Sequence, residues 1–238
     1  FMVGTAPEAG YVLIKTEDSR GEFRMDECNW IAGLEYADSI GADVVNSSLG
    51  YTLFDEKSMN YSHYDLNGET ALVSKAADIA FSKGMIIVNS AGNEGNISWK
   101  QVSCPSDAQN VLSVGAVDKH GNKMDYSSIG PTSDGRIKPD IVALGENIFV
   151  FSPESGRMVA KKGTSFTAPI IAGLVTSLWQ AFPERTNEEI INAVKLTASN
   201  AHQPNNLLGY GIPDFSKAYY FLKTNKYEPV IIPLKGKE

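Results

Sequence analysis

Gly163-Thr164-Ser165-Phe166-Thr167-Ala168-Pro169 stands immediately before the apolar run of residues 170–179. The run predicts a buried helix, and the motif predicts its first turn. Gly163 permits a tight backbone approach there. Pro169 is read as belonging to that first turn, where a missing amide proton costs nothing. The unpaired amides of a helix start favour negative charge nearby. Ser165 can therefore be a nucleophile whose oxyanion is stabilised by its own backbone N–H. Read from these seven residues alone, an ordinary Ser/Thr helix cap stays open beside it.

Working outward, β-rich runs alternate with helical periods. Residues 11–16 read as a strand, residues 27–37 as a helix on Ile31, Leu34 and Ala37, and residues 42–48 as a strand. Residues 50–68 are polar, with Tyr51, Tyr61 and Tyr64, and read as a surface loop. Residues 70–82 predict a helix burying Ala71, Leu72, Ala76, Ile79 and Ala80, stopped by Lys83-Gly84. Residues 85–89 and 111–117 are near-continuously apolar, as strands covered on both faces are. Residues 148–151 predict a shorter strand. Helices follow at 164–181, at 186–198 on Ile190, Ile191 and Val194, and at 213–222. This alternation predicts an α/β layered domain with a mostly parallel sheet. Sites in such folds collect at the carboxyl ends of strands. Asn46-Ser47-Ser48-Leu49-Gly50 and Ser90-Ala91-Gly92-Asn93-Glu94-Gly95 fall there.

Of the 238 residues, 42% are hydrophobic and 21% charged, enough for a sizeable core. A net charge of −7 argues against nucleic acid as the natural partner. Cys28 and Cys104 form no metal-binding pattern. They leave one disulfide or two free thiols open, and buried thiols are the expectation. No run is long enough to span a membrane, and the first residues are not a signal peptide. Residues 229–233 read as an extended strand or tail.

Asn93 sits between Gly92 and Gly95 at a predicted strand end, where its amide can donate to a tetrahedral oxyanion. Together the Ser-Ala-Gly-Asn-Glu-Gly and Gly-Thr-Ser-Phe-Thr-Ala-Pro motifs resemble those of the subtilisin-like serine peptidases, the subtilases. The resemblance runs from about residue 4 to about residue 220. Further motifs extend it: Gly4-Thr5-Ala6-Pro7-Glu8-Ala9, Asn46-Ser47-Ser48-Leu49-Gly50, Val114-Gly115-Ala116-Val117-Asp118, Lys138-Pro139-Asp140-Ile141-Val142-Ala143-Leu144-Gly145 and Gly209-Tyr210-Gly211.

The resemblance implies a three-layer subtilisin-like fold and peptide-bond hydrolysis through an acyl-enzyme. It makes Ser165 the nucleophile and gives the oxyanion hole to Asn93 and the Ser165 N–H. Ser48, Leu49 and Gly50 line one side of the substrate cleft, where an extended peptide adds as a strand. Ala91 and Gly92 form the other wall, and Ser103, in Ser103-Cys104-Pro105, closes the base. Leu49 and the alanine suggest an apolar pocket, with Glu94 at its mouth able to favour a basic side chain. The family often holds calcium in oxygen-rich loops; no ligand run stands out here, and no cofactor is expected. Secretion or a cell-surface location is implied by the resemblance alone.

The family's catalytic aspartate and histidine precede the Gly-Thr-Ala-Pro turn, which here occupies residues 4–7. The expectation is a piece of a catalytic domain over residues 1–224, lacking the N-terminal strands and the histidine helix, with residues 225–238 a tail or the start of a further domain. In the family fold the missing strand lies between those matching residues 11–16 and 42–48. The expected partners are a peptide or protein substrate and an upstream Asp/His segment, or another chain, that completes the sheet. His63, His120 and His202 read as surface or partly packed residues, with His63 nearest the cleft. The aspartates of residues 134–140 read as loop-ordering groups, and Trp99 as a surface-loop anchor. The alternative function is a noncatalytic peptide-binding or inhibitory relative. An α/β hydrolase is disfavoured by the lack of a Gly-x-Ser-x-Gly elbow.

Overall fold

The structure is a computed structural model that describes residues 3–225. Its centre is a parallel sheet built from the apolar runs. The strands are β1 (Val44–Ser47), β2 (Ile86–Ser90), β3 (Leu112–Val117) and β4 (Ile141–Leu144), in the spatial order β1-β2-β3-β4. Every pairing is parallel, with Val44 opposite Ile86, Val88 opposite Leu112 and Val114 opposite Ile141. All of β2 and β3 is buried, as their unbroken apolar character requires. A separate antiparallel hairpin joins β5 (Ile148–Ser152) to β6 (Arg157–Lys161).

Helices cover both faces. On one side lie α1 (Arg24–Ser39) and α2 (Leu72–Ser82), packing Trp30, Leu34, Val73 and Ala77 onto Ile87. On the other, α3 (Thr164–Gln180) sets Ile171, Val175 and Leu178 against Ile86, Leu112, Val114 and Ile141. Behind it stand α4 (Asn187–Leu196) and α5 (Phe215–Thr224). Thr186 and Glu189 open α4 with reciprocal side-chain-to-backbone bonds of 3.2 and 2.9 Å. The predicted three-layer α/β architecture is the observed one.

Several local expectations fail. Residues 11–16 form no strand and take part in no backbone–backbone hydrogen bond among the described residues. Leu13 is 93% exposed. A β-rich composition becomes a strand only when a neighbouring strand supplies the ladder, and no described residue does. The segment instead lies on α1, where a Cβ at Gly33 would stand 3.0 Å from Thr16 and 3.1 Å from Ile14. Residues 50–68 are not a plain surface loop. Tyr51, Phe54, Tyr61 and Leu66 are buried, and two short 3-10 helices, Lys57–Met59 and His63–Asp65, interrupt the stretch. The tyrosines go inside because their hydroxyls find carboxylates: Tyr51 donates to Glu17 and Tyr61 to Glu27, each at 2.7 Å. Only Tyr64 is exposed as expected.

The buried face of α2 is Val73, Ser74, Ala77 and Ala80, while Leu72 and Ile79 face solvent. Ser74 donates to buried Asp107 at 2.6 Å, which sets the helix's rotation. Cys28 is exposed and only Cys104 is buried, and both are free thiols. The tail of residues 229–233 lies outside the described residues.

One buried ionic cluster ties the layers together. Asp140 accepts from Lys138 Nζ at 2.7 Å, Lys195 Nζ at 2.8 Å and the Ser113 amide at 2.9 Å. The aspartate therefore bridges β3, β4 and α4 rather than merely ordering a loop.

Candidate active site

The residues singled out from the sequence gather where β1 and β2 end and α3 begins. Ser165 is the second residue of α3 and is partly exposed. Gly163 caps the helix at φ 139°, backbone that a side chain rarely tolerates. This kink lets the chain leave β6 and enter α3 with Ser165 in the opening turn.

Pro169 is not in that first turn. It is the sixth residue of α3, where an ordinary amide would donate to the carbonyl four residues back. That carbonyl belongs to Ser165. Proline leaves it without a helical partner, and Ser48 Oγ donates to it at 3.0 Å. The proline thus frees an acceptor that the strand end after β1 takes up, coupling that strand end to the first turn of α3.

Asn93 follows β2 and is exposed. Its Oδ1 accepts from the Thr164 amide at 2.9 Å and from the Thr164 hydroxyl at 3.0 Å. A backbone N–H can only donate, so the carbonyl end must face Thr164. The amide end, Nδ2, is left as a donor without a protein partner among the described residues. Asn93 is thereby tied to the start of α3, one residue before Ser165.

The remaining cleft residues also meet. A Cβ on Gly50 would fall on the Ser103 hydroxyl, so glycine is required for this approach. The Ser103 amide donates to Ala91 O at 3.4 Å, and Asn89 Nδ2 donates to Leu49 O at 3.0 Å. Ser103 thus sits between the Ser48–Leu49–Gly50 side and the Ala91–Gly92 side. Leu49 is half-buried against the core of the α1–α2 layer. Glu94 is partly buried, and its carboxylate accepts from Ser128 Oγ at 2.8 Å.

Among the described residues no base is joined to the serine. Ser165 Oγ has no hydrogen-bond partner among the described residues. His63 packs against the ring of Trp99 at 4.5 Å between centroids. His120 is exposed in a turn held by Asp118, and His202 is exposed after α4. Trp99 is half-buried and donates to Val102 O at 3.4 Å, an anchor as expected. No group of three or more His, Cys, Asp or Glu among the described residues is placed to hold a metal ion. Among the described residues no helix is long and apolar enough to cross a membrane.

The sequence profile described as "Subtilase family" matches residues 2–211. The chain belongs to the subtilase family. It is similar to Subtilisin DY of Bacillus licheniformis, 28% identical over 200 residues that cover 84% of this chain and 64% of the relative. Subtilisin E of Bacillus subtilis (strain 168) is 30% identical over 83% of this chain and 46% of its own length. The chain thus spans between about half and two thirds of these relatives. Among solved structures, the patellamide maturation protease PatA superposes with a TM-score of 0.72 at 25% identity, covering 92% of this chain and 77% of that one.

This subtilase has a feature that motif reading could not supply. Among the described residues β1 is an edge strand of the sheet, and beside α1 an open groove of about 760 Å³ is lined by residues 14–20 with Asn29, Ala32, Gly33 and Tyr36. The groove contains none of the cleft residues.

Proposed function

We propose that this subtilase is a serine endopeptidase in which Ser165 attacks the scissile carbonyl and Asn93 with the Ser165 N–H receives the oxyanion. The observation that carries the reading is the pair of hydrogen bonds that Thr164 donates to Asn93 Oδ1, which leaves the donor end of Asn93 free beside the nucleophile turn among the described residues. Ser48, Leu49 and Gly50 take the extended substrate as an added strand, Ala91 and Gly92 form the opposite wall, and Ser103 closes the pocket. A peptide or protein is the substrate, with an apolar residue before the cut. Secretion or cell-surface display belongs to the same reading and is checked by fractionating the source cells.

The activating pair comes from an additional segment bearing an aspartate at a strand end and a histidine on a helix. Two observations support this. The outer edge of β1 and the backbone of residues 11–16 both lack a strand partner among the described residues. Among the same residues no histidine is bonded to Ser165. Without a base a serine hydroxyl is a poor nucleophile, so the chain alone is expected to turn over substrate slowly.

A fluorophosphonate probe tests the proposal, applied to the chain alone and with such an Asp/His segment supplied. Adduct on Ser165 only in the second case is the expected result. Absence of adduct in both would overturn the reading and favour a noncatalytic peptide-binding protein.

A further inference from the structure

We propose that Tyr126 is a positioning residue for the nucleophile turn, its hydroxyl clamping the Gly163 peptide from a second direction. The proposal rests on Ser165 being the nucleophile. Tyr126 lies on the segment returning from β3 to β4 and is half-buried. Its Oη donates to the Gly145 carbonyl at 2.5 Å and accepts from the Gly163 amide at 3.0 Å. The Gly163 amide also donates to the Gly145 carbonyl at 3.0 Å. Three groups therefore close a triangle: one phenol, one carbonyl just after β4, and one amide just before α3.

The backbone is shaped for this contact. A Cβ on Gly145 would lie 2.7 Å from Tyr126 Oη and 2.5 Å from Ala116 Cβ, so no side chain fits there without displacement. Gly163 holds φ 139°, so its peptide orientation is not one the local chain would choose.

The clamp matters because the catalytic groups are the next residues along the chain. Thr164 is next to Gly163, and its amide and hydroxyl hold Asn93. Ser165 comes one residue later. A rotation of the Gly163 peptide would move the nucleophile and the oxyanion donor together. The hydroxyl is not needed to satisfy Gly163, whose amide already has Gly145 O as an acceptor. Its separate contribution is direction: a bifurcated donor held by two acceptors has less freedom than one held by a single carbonyl. Among ring side chains of this size only tyrosine both donates to Gly145 and accepts from Gly163.

Tyr126→Phe removes the hydroxyl and keeps the ring. Hydrogen exchange on the chain itself should show the Gly163 and Thr164 amides exchanging about tenfold faster relative to those of β2, as expected for one lost hydrogen bond. The denaturation midpoint should scarcely move. With the Asp/His segment supplied, fluorophosphonate labelling of Ser165 should slow about tenfold, while binding of a reversible peptide is unchanged. A Val175→Ala control, destabilised in the core far from the turn, should label at the wild-type rate in its folded fraction. Unchanged exchange at Gly163 and Thr164 overturns the clamp whatever labelling does. Faster exchange with wild-type labelling overturns its role in positioning. Faster exchange in a protein whose wild type never labels supports the clamp and instead refutes Ser165 as the nucleophile.

Discussion

Asp140→Asn isolates the buried ionic cluster. Among the described residues the Asp140 carboxylate meets three donors: Lys138 Nζ and the Ser113 amide at one oxygen, Lys195 Nζ at the other. Asparagine must turn its NH₂ toward one of these sites, so a donor faces a donor. Among the described residues it also removes the only negative partner of Lys138, whose side chain is 2% exposed and which keeps only the Val111 carbonyl at 2.9 Å. An uncompensated buried ammonium costs about 3–5 kcal/mol. Lys195→Met should cost less, about 1–2 kcal/mol. Asp140 then retains Lys138 and Ser113, and Lys195, at 23% exposure, is partly solvated to begin with.

Urea denaturation of the three proteins at neutral pH reads both values. The pH dependence adds a second reading. Burial by itself raises the Asp140 pKa; the attraction of Lys138 and Lys195 and their hydrogen bonds outweigh it and hold the carboxyl below its ordinary 3.8. A depressed folded pKa means stability that is whole above the unfolded value of about 3.8 and lost as the pH falls through the lower folded value. The wild-type advantage over Asp140→Asn should therefore hold from neutrality down to about 3.8 and shrink as the pH falls from there through the folded value. Equal costs for the two substitutions, or an Asp140→Asn cost under about 1 kcal/mol, would refute the view that Asp140 neutralises a buried lysine.

Three further outcomes are expected. Ser48→Ala should destabilise by about 1–2 kcal/mol by stranding the Ser165 carbonyl, and Pro169→Ala, which restores a helical donor to it, should make the two changes non-additive in a denaturation cycle; strict additivity would refute the shared acceptor. Gly163→Ala should cost about 1–3 kcal/mol because φ 139° strains any side chain, and slow probe labelling of Ser165 more than a global loss of that size predicts. A maleimide should modify exposed Cys28 in the native chain and reach Cys104 only on unfolding, since burial, then the neighbouring Asp107, push the Cys104 thiol well above its ordinary pKa; mass spectrometry of tryptic peptides distinguishes the two.

Much of the layered order could be read from residue pattern. The unbroken apolar runs of β2 and β3 become fully buried strands because nothing polar in them asks for water. The Thr186–Glu189 box marks the start of α4 through bonds spanning three residues. Local signals of that kind survive into the fold because both partners lie within one turn. The same pattern logic misplaced residues 11–16 and the face of α2. Strand formation needs a neighbour along the ladder, and helix rotation is set by contacts such as Ser74 with Asp107, which no local period contains.

The site divides in the same way. From residue types alone, the helix-start Ser165 could be a nucleophile or an ordinary cap; the resemblance of its motif and of the Asn93 motif to the subtilases is what implies a nucleophile and an oxyanion donor. Their spatial relation was not legible there. Thr164 meets Asn93 across 71 residues, and Ser48 meets the carbonyl of Ser165 across 117. Hydrogen bonds of that reach depend on strand ends and a helix start being brought to one edge of a parallel sheet. The sequence by itself determined most of the order of elements, though not β4, β6 or the irregular course of residues 11–16, and the hydrogen-bonding groups that Ser165 and Asn93 carry. Only the tertiary structure decided which donor faces which acceptor, because hydrogen bonding is directional and the hydrophobic pattern that builds the layers is not.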